Sequence, residues 1–201
     1  AIILGVTCLL LCRKATLQGT ARTILGFGLL FDGMTLMSDE LKSVSTFPSF
    51  VHFFHIFDCA PQSGQTMPIG AVLGAIGIGT LMTMLVQSSS ATIGLAIALA
   101  NSGLLNIWTA VPIVLGDNIG TTITAVLASI NANRTARQTA VAHSLFNVLG
   151  TCVMVGLFYV PFHNVPCFLY LVNSVTAGNV FLGENIGRHV AMAHTLFNVT
   201  N

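Results

Sequence analysis

The chain has 201 residues, of which 54% are hydrophobic and only 6% are charged, and its net charge is +1. A soluble domain carries about 25% charged residues, so seven basic and six acidic side chains cannot cover a water-exposed surface. The composition excludes an ordinary soluble domain and gives no basic surface for nucleic acid. It predicts a multi-pass integral membrane protein of the plasma membrane or the bacterial inner membrane.

The first third of the chain contains two apolar segments, at residues 1–12 and 24–41. The first has neither the basic start nor the cleavage site of a signal peptide. Its abrupt beginning, and the equally abrupt end HTLFNVTN, suggest a piece of a longer protein. Residues 48–67 are rich in phenylalanine and proline, and we expect them to be irregular and to lie at the membrane interface.

The middle of the chain is almost free of charge, because no Asp, Glu, Lys or Arg occurs in residues 59–116. Residues 68–86 are long enough to span a bilayer, and Gly70 and Gly74 form a GxxxG step that permits close helix packing. The sequence QSSS follows, and residues 91–115 are interrupted at NSG, which predicts two half-length helices. The sequence GDNIGTT predicts a further break, which leaves residues 123–130 too short to span.

The last third of the chain begins with a basic loop, NANRTARQ, at residues 131–138. Residues 140–160 form a second predicted span, residues 161–166 a turn, and residues 167–182 a third, shorter span before a final helix. Two sequences recur in the same order: GDNIG as GENIG, and AVAHSLFNV as AMAHTLFNV (residues 191–199). The spacing between the two sequences is not kept, so this is an echo and not a tandem repeat.

The two polar sequences QSSS and GDNIGTT need an explanation, since unpaired polar groups are costly in lipid. Broken helices flanking polar residues are typical of transporter binding sites. The free N–H groups at a helix start suit an anion, and free carbonyl and hydroxyl oxygens suit Na⁺. The candidate ligands are hydroxyl, amide and carboxylate groups: Gln87, Ser88, Ser89, Ser90, Asp117, Asn118, Thr121, Thr122 and Thr124.

Structural alternatives stay open for these residues. Serine and threonine also pack membrane helices together, and Asp117 could cap a helix that starts at Asn118 or Ile119. His143 and His194 begin the two HxLFN sequences and could bind a metal, although no second ligand follows at the fourth position; a hydrogen bond to a neighbouring helix is the simpler interpretation. Asn147 lies four residues after His143 and could hold helices together or reach the cavity.

The ordered motifs QSSSAT, GDNIGTTITA and AHSLFNV resemble the type II sodium–phosphate cotransporter family, including its bacterial members. The segment GLLFDGMTLMSDELK (residues 28–42) is similar to the amphipathic segment that precedes QSSS in that family. The resemblance covers residues 26–201. It implies an all-α membrane fold of two inverted repeats, each with a re-entrant, discontinuous helical hairpin that bears QSSS.

The resemblance also implies roles for individual residues. Phosphate would bind Gln87, Ser88, Ser89 and Ser90, and Na⁺ would bind Gln87, Ser88, Asn118, Thr121 and Thr124, with Asp117, Thr122 and Asn147 as further possible ligands. Only one QSSS is present, so the chain resembles the second repeat alone: a single transmembrane domain with residues 23–160 as the core repeat and residues 161–201 as following helices. A missing first repeat, or a second copy of the chain, would then complete the site.

The function implied is sodium-coupled symport of inorganic phosphate across a lipid bilayer, with sodium as the coupling ion and no cofactor. Three alternatives stay open. A non-transporting scaffold or regulator of phosphate uptake could use the same fold. A serine hydrolase would need His143 or His194 to reach a serine, and the G-x-S-x-G sequence is absent, so we do not expect an enzyme. A channel would give uptake that neither saturates nor needs Na⁺.

Overall fold

A computed structural model describes residues 1–11, 14–44, 47–48, 52, 56–62 and 66–201. Nearly all of the regular structure in these ranges is helical, and two strands of two residues each pair antiparallel, with Pro161 opposite Pro166. A 3₁₀ turn covers Val180–Leu182. The elements are α1 (Ile2–Leu11), α2 (Ala15–Val44), α3 (Ile69–Val86), α4 (Ser89–Asn101), α5 (Ile107–Ala128), α6 (Arg134–Phe158), β1 (Pro161–Phe162), β2 (Val165–Pro166), α7 (Cys167–Val175) and α8 (Ile186–Thr200).

The prediction of an all-α integral membrane protein is confirmed. Among the described residues, α3, α5 and α6 are long and apolar enough to cross a bilayer. Many large apolar side chains on α3 and α6 face outward, including Leu73, Leu81 and Leu149, as expected where lipid is the solvent. Most of α5 is buried among the other helices, so α5 is the central element of the fold.

The predicted break at GDNIGTT is wrong, because α5 runs without interruption through these residues. The helix begins earlier, at Ile107, and Asn106 caps it by accepting a hydrogen bond from the N–H of Thr109 at 3.0 Å. Inside the helix the polar side chains bond to the preceding turn: Asn118 donates to the carbonyl of Val114, and Thr121 to that of Asp117. Asp117 therefore does not cap a helix.

Glycines bring α3 and α5 into backbone contact. A Cβ atom at Gly79 would collide with the carbonyl of Ile113, and one at Gly116 with the carbonyl of Ile76. A Cβ atom at Gly120 would come within 2.5 Å of the Thr80 carbonyl. Small residues at such a seam let membrane helices approach closely.

The predicted GxxxG contact at Gly70 and Gly74 is not where α3 and α5 pack closely. A Cβ atom at Gly70 would meet open space, and one at Gly74 would meet only the ring of Phe57. Later residues of α5 contact later residues of α3: Gly116 lies against Ile76 and Thr80, and Gly120 lies against Thr83. The helices α3 and α5 therefore run parallel. Because α4 returns between them in sequence, α3 and α4 form a helical hairpin.

Other boundaries differ from the sequence predictions in detail. The loop at residues 131–138 is half helical, since Asn133 caps α6 by accepting from the N–H of Ala136 at 2.9 Å. The apolar residues 167–182 form only α7 and a 3₁₀ turn, which are too short to span. Much of the predicted irregular segment at residues 48–67, and residues 12 and 13, lie outside the described residues.

Candidate functional site

The QSSS sequence forms the break between α3 and α4. Gln87 ends α3 in the left-handed conformation, with φ 55° and ψ 28°, and its N–H donates to the carbonyl of Thr83. Ser88 is extended, with φ −147°. A glutamine in the left-handed region is unfavourable, and such strain concentrates at functional sites. The polar residues therefore stand where the direction of the chain reverses.

The three serines form the positive end of α4. Ser88 is the N-cap and accepts a hydrogen bond from the N–H of Ala91 at 3.3 Å, while Ser89 and Ser90 occupy the first turn. N–H groups in a first turn have no partner within the helix and attract an anion. Ser88 and Ser90 are exposed and Ser89 is half-buried, so their hydroxyls are accessible at this end of the hairpin.

The predicted Na⁺ ligands of α5 have oxygen lone pairs to offer. The Asn118 amide nitrogen donates to the carbonyl of Val114 at 2.9 Å, which leaves its amide oxygen free to face a cation. Thr121 donates to the Asp117 carbonyl at 3.0 Å, and Thr124 donates to the Thr121 carbonyl at 2.7 Å. Because those hydroxyl protons are engaged, only their lone pairs remain for another partner.

The parallel packing of α3 and α5 determines where the predicted Na⁺ ligands of α5 lie along the helix axis relative to the α3–α4 break. Gly120 of α5 faces Thr83 of α3. One turn further along both helices lie Gln87 and Thr124, at about the same level. The end of α3 and the last turns of α5 are thus neighbours, as a shared site requires.

Asp117 is the most deeply buried of the predicted site residues, with an exposed fraction of 0%. Its Oδ1 accepts a hydrogen bond from the Thr83 hydroxyl at 2.6 Å, and Thr83 is also 3.2 Å from the hydroxyl of Thr92. The Ser89 side chain also bonds to the carboxylate, and the His194 ring lies near it. Side chains from α3, α4, α5 and α8 therefore meet at one acidic group.

Thr122 of α5 faces α6, and Asn147 belongs to α6 itself. The Thr122 hydroxyl bonds to the Ile119 carbonyl at 2.8 Å and lies 3.4 Å from the hydroxyl of Ser144. The Asn147 amide donates to the carbonyl of His143, within its own helix. No hydrogen bond among the described residues joins Thr122 or Asn147 to the serines of the QSSS sequence, so their role as ligands stays a prediction.

The two HxLFN copies share local geometry but not environment. Asn198 donates to the carbonyl of His194 just as Asn147 does to that of His143. His143 is exposed, however, whereas His194 is half-buried beside Asp117. In the part of the chain that the structure describes, no three His, Cys, Asp or Glu side chains are arranged to hold a metal ion.

Sequence reasoning missed two residues near Asp117, Thr83 and Thr92, and it named His194 without identifying Asp117 as its neighbour. Thr83 and Thr92 are separated by nine residues across the break, and only the hairpin brings their hydroxyls together. Their positions in runs of apolar residues gave one signal, since a buried hydroxyl must find a partner. His194 lies near Asp117 although it comes from the far end of the chain, and local sequence carries no indication of that proximity.

Comparison with known proteins bears on the same region. Residues 69–165, which include α3 to α6, match the model of the Na⁺/Pi-cotransporter family. The uncharacterized protein YqeW of Bacillus subtilis is 30% identical over 156 residues, which cover 76% of this chain and 46% of that protein. The sodium-dependent phosphate transport protein 2A of Rattus norvegicus is 38% identical over 148 residues, or 60% of this chain and 23% of that protein.

The human relative, sodium-dependent phosphate transport protein 2B, is 41% identical over 97 residues, which cover 46% of this chain and 14% of that protein. The chain therefore spans less than half the length of each of these relatives. No solved structure matches the chain significantly.

Proposed function

Since the chain belongs to the Na⁺/Pi-cotransporter family, we propose that it carries out, or forms part of a protein that carries out, sodium-coupled symport of inorganic phosphate. The observation that carries the proposal is the break between α3 and α4. It combines a reversal of the chain, a capped helix start and three consecutive serines within an apolar hairpin. Broken helices of this kind form the binding sites of secondary transporters.

Phosphate binds at the start of α4 in this proposal. Two N–H groups of the first turn, at Ser89 and Ser90, supply donors and the positive end of the helix dipole. The other proposed phosphate ligands are the hydroxyls of Ser88, Ser89 and Ser90 and the amide of Gln87. No Lys or Arg lies in residues 59–116, so co-bound cations must balance the charge of the anion.

Sodium binds next to phosphate, between the end of α3 and the last turns of α5. Gln87 and Ser88 contribute from the break, and Asn118, Thr121 and Thr124 contribute neutral oxygens from α5. Neutral oxygen ligands suit a hard monovalent cation. An isolated charge is costly in lipid, and a cation bound there balances the charge of the phosphate. Each ion therefore favours the binding of the other, which couples sodium transport to phosphate transport.

A complete site needs a second half. Gln87, Ser88, Ser90 and Thr121 are exposed, and polar groups exposed inside a bilayer are unfavourable unless protein or water covers them. We assign that cover to an inverted first repeat or a second copy of this chain. The hairpin would then be re-entrant, with its polar tip facing an opposing tip.

The test is uptake of labelled phosphate into proteoliposomes that contain the reconstituted chain, with Na⁺ or with K⁺ outside. We expect saturable uptake that requires Na⁺ and is lost when Ser88, Ser89 and Ser90 are all replaced by alanine. Ser102→Ala is the matched control, because this serine lies at the opposite end of α4 and only donates to the Leu99 carbonyl.

Each other outcome identifies a different function. Uptake that is unchanged in the triple variant contradicts the assignment of the site. Uptake that neither saturates nor needs Na⁺ indicates a channel. No uptake by the folded chain, also after a first-repeat half is supplied, favours the non-transporting scaffold or regulator.

A further inference from the structure

A long stretch of the chain after α6 carries no formal charge. No Asp, Glu, Lys or Arg occurs in residues 138–183, although α6 already ends at Phe158. Residues 159–183, called the end segment below, contain β1, β2, α7 and the 3₁₀ turn. A water-exposed segment of this length would carry about six charged residues, since about one residue in four of a soluble protein is charged. The end segment therefore does not have the composition of an ordinary water-exposed loop.

The end segment lies across one end of the helical bundle. Phe168 of α7 packs against Phe158 at the end of α6, with ring centroids 6.2 Å apart. Phe181 of the 3₁₀ turn packs against Trp108 at the start of α5, with ring centroids 5.5 Å apart. Trp108 and Phe158 also line one cavity of about 570 Å³, so α5 begins and α6 ends on the same side. The end segment is therefore at the level where these two spans leave the bilayer.

The short helix α7 is apolar on both of its faces. Phe168, Leu169 and Val172 are buried against the rest of the chain, whereas Leu171 and Val175, one turn apart, are exposed. Nine residues reach only about 14 Å, so α7 cannot cross the bilayer. A helix that is apolar all round is typical of an apolar medium. The outward face of α7 therefore suits lipid or protein better than water.

The exposed apolar side chains of the end segment extend the lipid-facing surface of α6. Leu149 and Val153, one turn apart in α6, are exposed. Val160 and Phe162 follow the end of the helix and are exposed as well, and Leu182 of the 3₁₀ turn is 75% exposed. Exposed apolar side chains therefore continue from the span into the end segment. This continuity favours lipid over a separate protein partner as the cover of this surface.

The rings at the hairpin are of a kind that membrane interfaces favour. Phe162, His163 and Tyr170 form a cluster in which the ring centroids are 4.7, 4.8 and 5.3 Å apart. Tyrosine and histidine have an apolar body and a polar tip, which suits the level of the headgroups. The exposed Ser174 hydroxyl donates to the Leu171 carbonyl at 2.8 Å, so its proton is already engaged within α7. The polar groups of the segment are thus compatible with a partly apolar medium.

We propose that the end segment lies in the plane of the membrane, with Leu171, Val175 and Leu182 at the boundary between headgroups and acyl chains. The leaflet is the one opposite to Arg134 and Arg137, which lie at the other end of α6. Because the end segment has no Lys or Arg, its partner is a zwitterionic phospholipid and not an anionic headgroup. This contact holds the starts of α5 and α8 at a fixed depth, and it is independent of the proposed phosphate transport.

The experiment measures the depth of single tryptophans in nanodiscs of phosphatidylcholine that is brominated either near the headgroup or at the end of the acyl chain. The chain has one tryptophan, so Trp108→Phe, which keeps a ring against Phe181, supplies the background. Leu171→Trp, Val175→Trp and Leu182→Trp then report from the end segment. We expect each to lose more fluorescence to bromine near the headgroup than to bromine at the end of the chain.

Two control variants in the same background give the reference depths. Asn131→Trp lies in the exposed basic loop and should be quenched by aqueous iodide and by neither brominated lipid. Leu149→Trp lies nine residues before Phe158, about 14 Å deeper in the bilayer. It should lose most fluorescence to bromine at the end of the acyl chain.

Three results overturn the proposal. Tryptophans of the end segment that behave like the one at position 131 face water, and those that behave like the one at position 149 lie in the hydrocarbon core. Protection from iodide and from both brominated lipids means that protein covers the surface. Replacing part of the phosphatidylcholine by phosphatidylglycerol should leave the quenching pattern unchanged, and a pattern that depends on the anionic lipid contradicts the stated partner.

A second comparison keeps Trp108 in place, so it holds even if the Trp108→Phe background does not fold. Leu182→Asp places a carboxylate in the interface and should lower the unfolding temperature of the chain in nanodiscs more than Leu182→Ala does. At Asn131 the same two replacements should give about equal unfolding temperatures. Equal unfolding temperatures for the two Leu182 variants overturn the proposal.

Discussion

The glycine seam between α3 and α5 gives the sharpest prediction about the fold, and Gly116→Ala is the perturbation. The added methyl group would overlap the Ile76 carbonyl and lie 2.9 Å from the Thr80 nitrogen. Both are backbone atoms, so neither can rotate away and the helices must separate. Separation also weakens the hydrogen bond from the Thr80 hydroxyl to the Gly116 carbonyl, now 3.0 Å.

The magnitude follows from three terms. Replacing glycine by alanine in a helix stabilises it by about 1 kcal/mol. Overpacking a close contact costs about 1–3 kcal/mol, and more when backbone atoms collide. A hydrogen bond between membrane helices contributes about 0.6 kcal/mol. The cost is larger than the gain when the collision is with backbone, and we expect a net loss of about 1–3 kcal/mol of unfolding free energy.

The assay is equilibrium unfolding of the purified protein in mixed micelles, followed by far-UV circular dichroism. Gly77→Ala is the matched control, because it lies on α3 and a methyl group there would meet open space. It should be neutral or slightly stabilising. A Gly116→Ala variant as stable as Gly77→Ala would refute the close parallel packing of α3 and α5.

Three further predictions concern helix caps and a buried thiol. Asn133→Ala should destabilise α6 by about 1 kcal/mol in thermal unfolding, whereas Asn131→Ala, outside the cap, should change stability by less than about 0.5 kcal/mol; equal effects would contradict the cap. Asn106→Asp should lower the unfolding temperature more than Asn106→Ala. The Asn106 amide donates to the Asp58 carboxylate at 2.8 Å, and an aspartate at position 106 would place a second carboxylate against Asp58. A lower unfolding temperature for Asn106→Ala than for Asn106→Asp would contradict this contact. Burial raises the pKa of the Cys59 thiol from 9.0 to about 12, so maleimide at pH 8 should modify this thiol only after denaturation. Mass spectrometry of labelled peptides measures the modification. Equal rates of modification in the folded and denatured protein would refute the burial of Cys59.

The sign of the pH effect at Cys59 follows from the same shift. The unfolded thiol ionises near pH 9 and the folded thiol only near pH 12. Above pH 9 the unfolded state therefore loses its proton first, and stability falls as the pH rises toward 12. Below pH 9 both states are protonated and this group has no influence.

Composition and hydrophobic runs predicted the membrane class, the span at α3, the break at QSSS and the span at α6. These features are local, because each depends on the length of an apolar run or on polar residues that interrupt it. The interruption at Asn101-Ser102-Gly103 was also correct, since α4 ends at Asn101 and α5 is capped by Asn106.

The error at GDNIGTT has a physical cause. Asp, Asn, Gly and Thr are poor helix formers in isolation, and their sequence therefore indicated a break. In the fold, Asn118 and Thr121 bond to the preceding turn, and Gly116 and Gly120 serve the contact with α3. Tertiary packing stabilises the helix where local propensity does not.

The polar residues of the candidate site could be identified from the sequence, but their arrangement in the fold could not. Residues Gln87 to Ser90 and Asn118 to Thr124 stood out as polar groups in an apolar region. The neighbours of Asp117 were not predictable, because Thr83 and His194 come from two other helices and Thr92 is linked to the carboxylate only through Thr83. One-dimensional patterns give no information on which helices meet at a carboxylate.

The most direct test of the central claim is equilibrium binding of labelled phosphate to the purified chain, in Na⁺ and in K⁺. Binding does not require a full transport cycle, so it tests the site at the α3–α4 break itself. We predict saturable binding in Na⁺, little binding in K⁺, and loss of binding when Ser88, Ser89 and Ser90 are replaced by alanine. Equal binding by the wild type and this triple variant, or equal binding in Na⁺ and K⁺, would contradict the account.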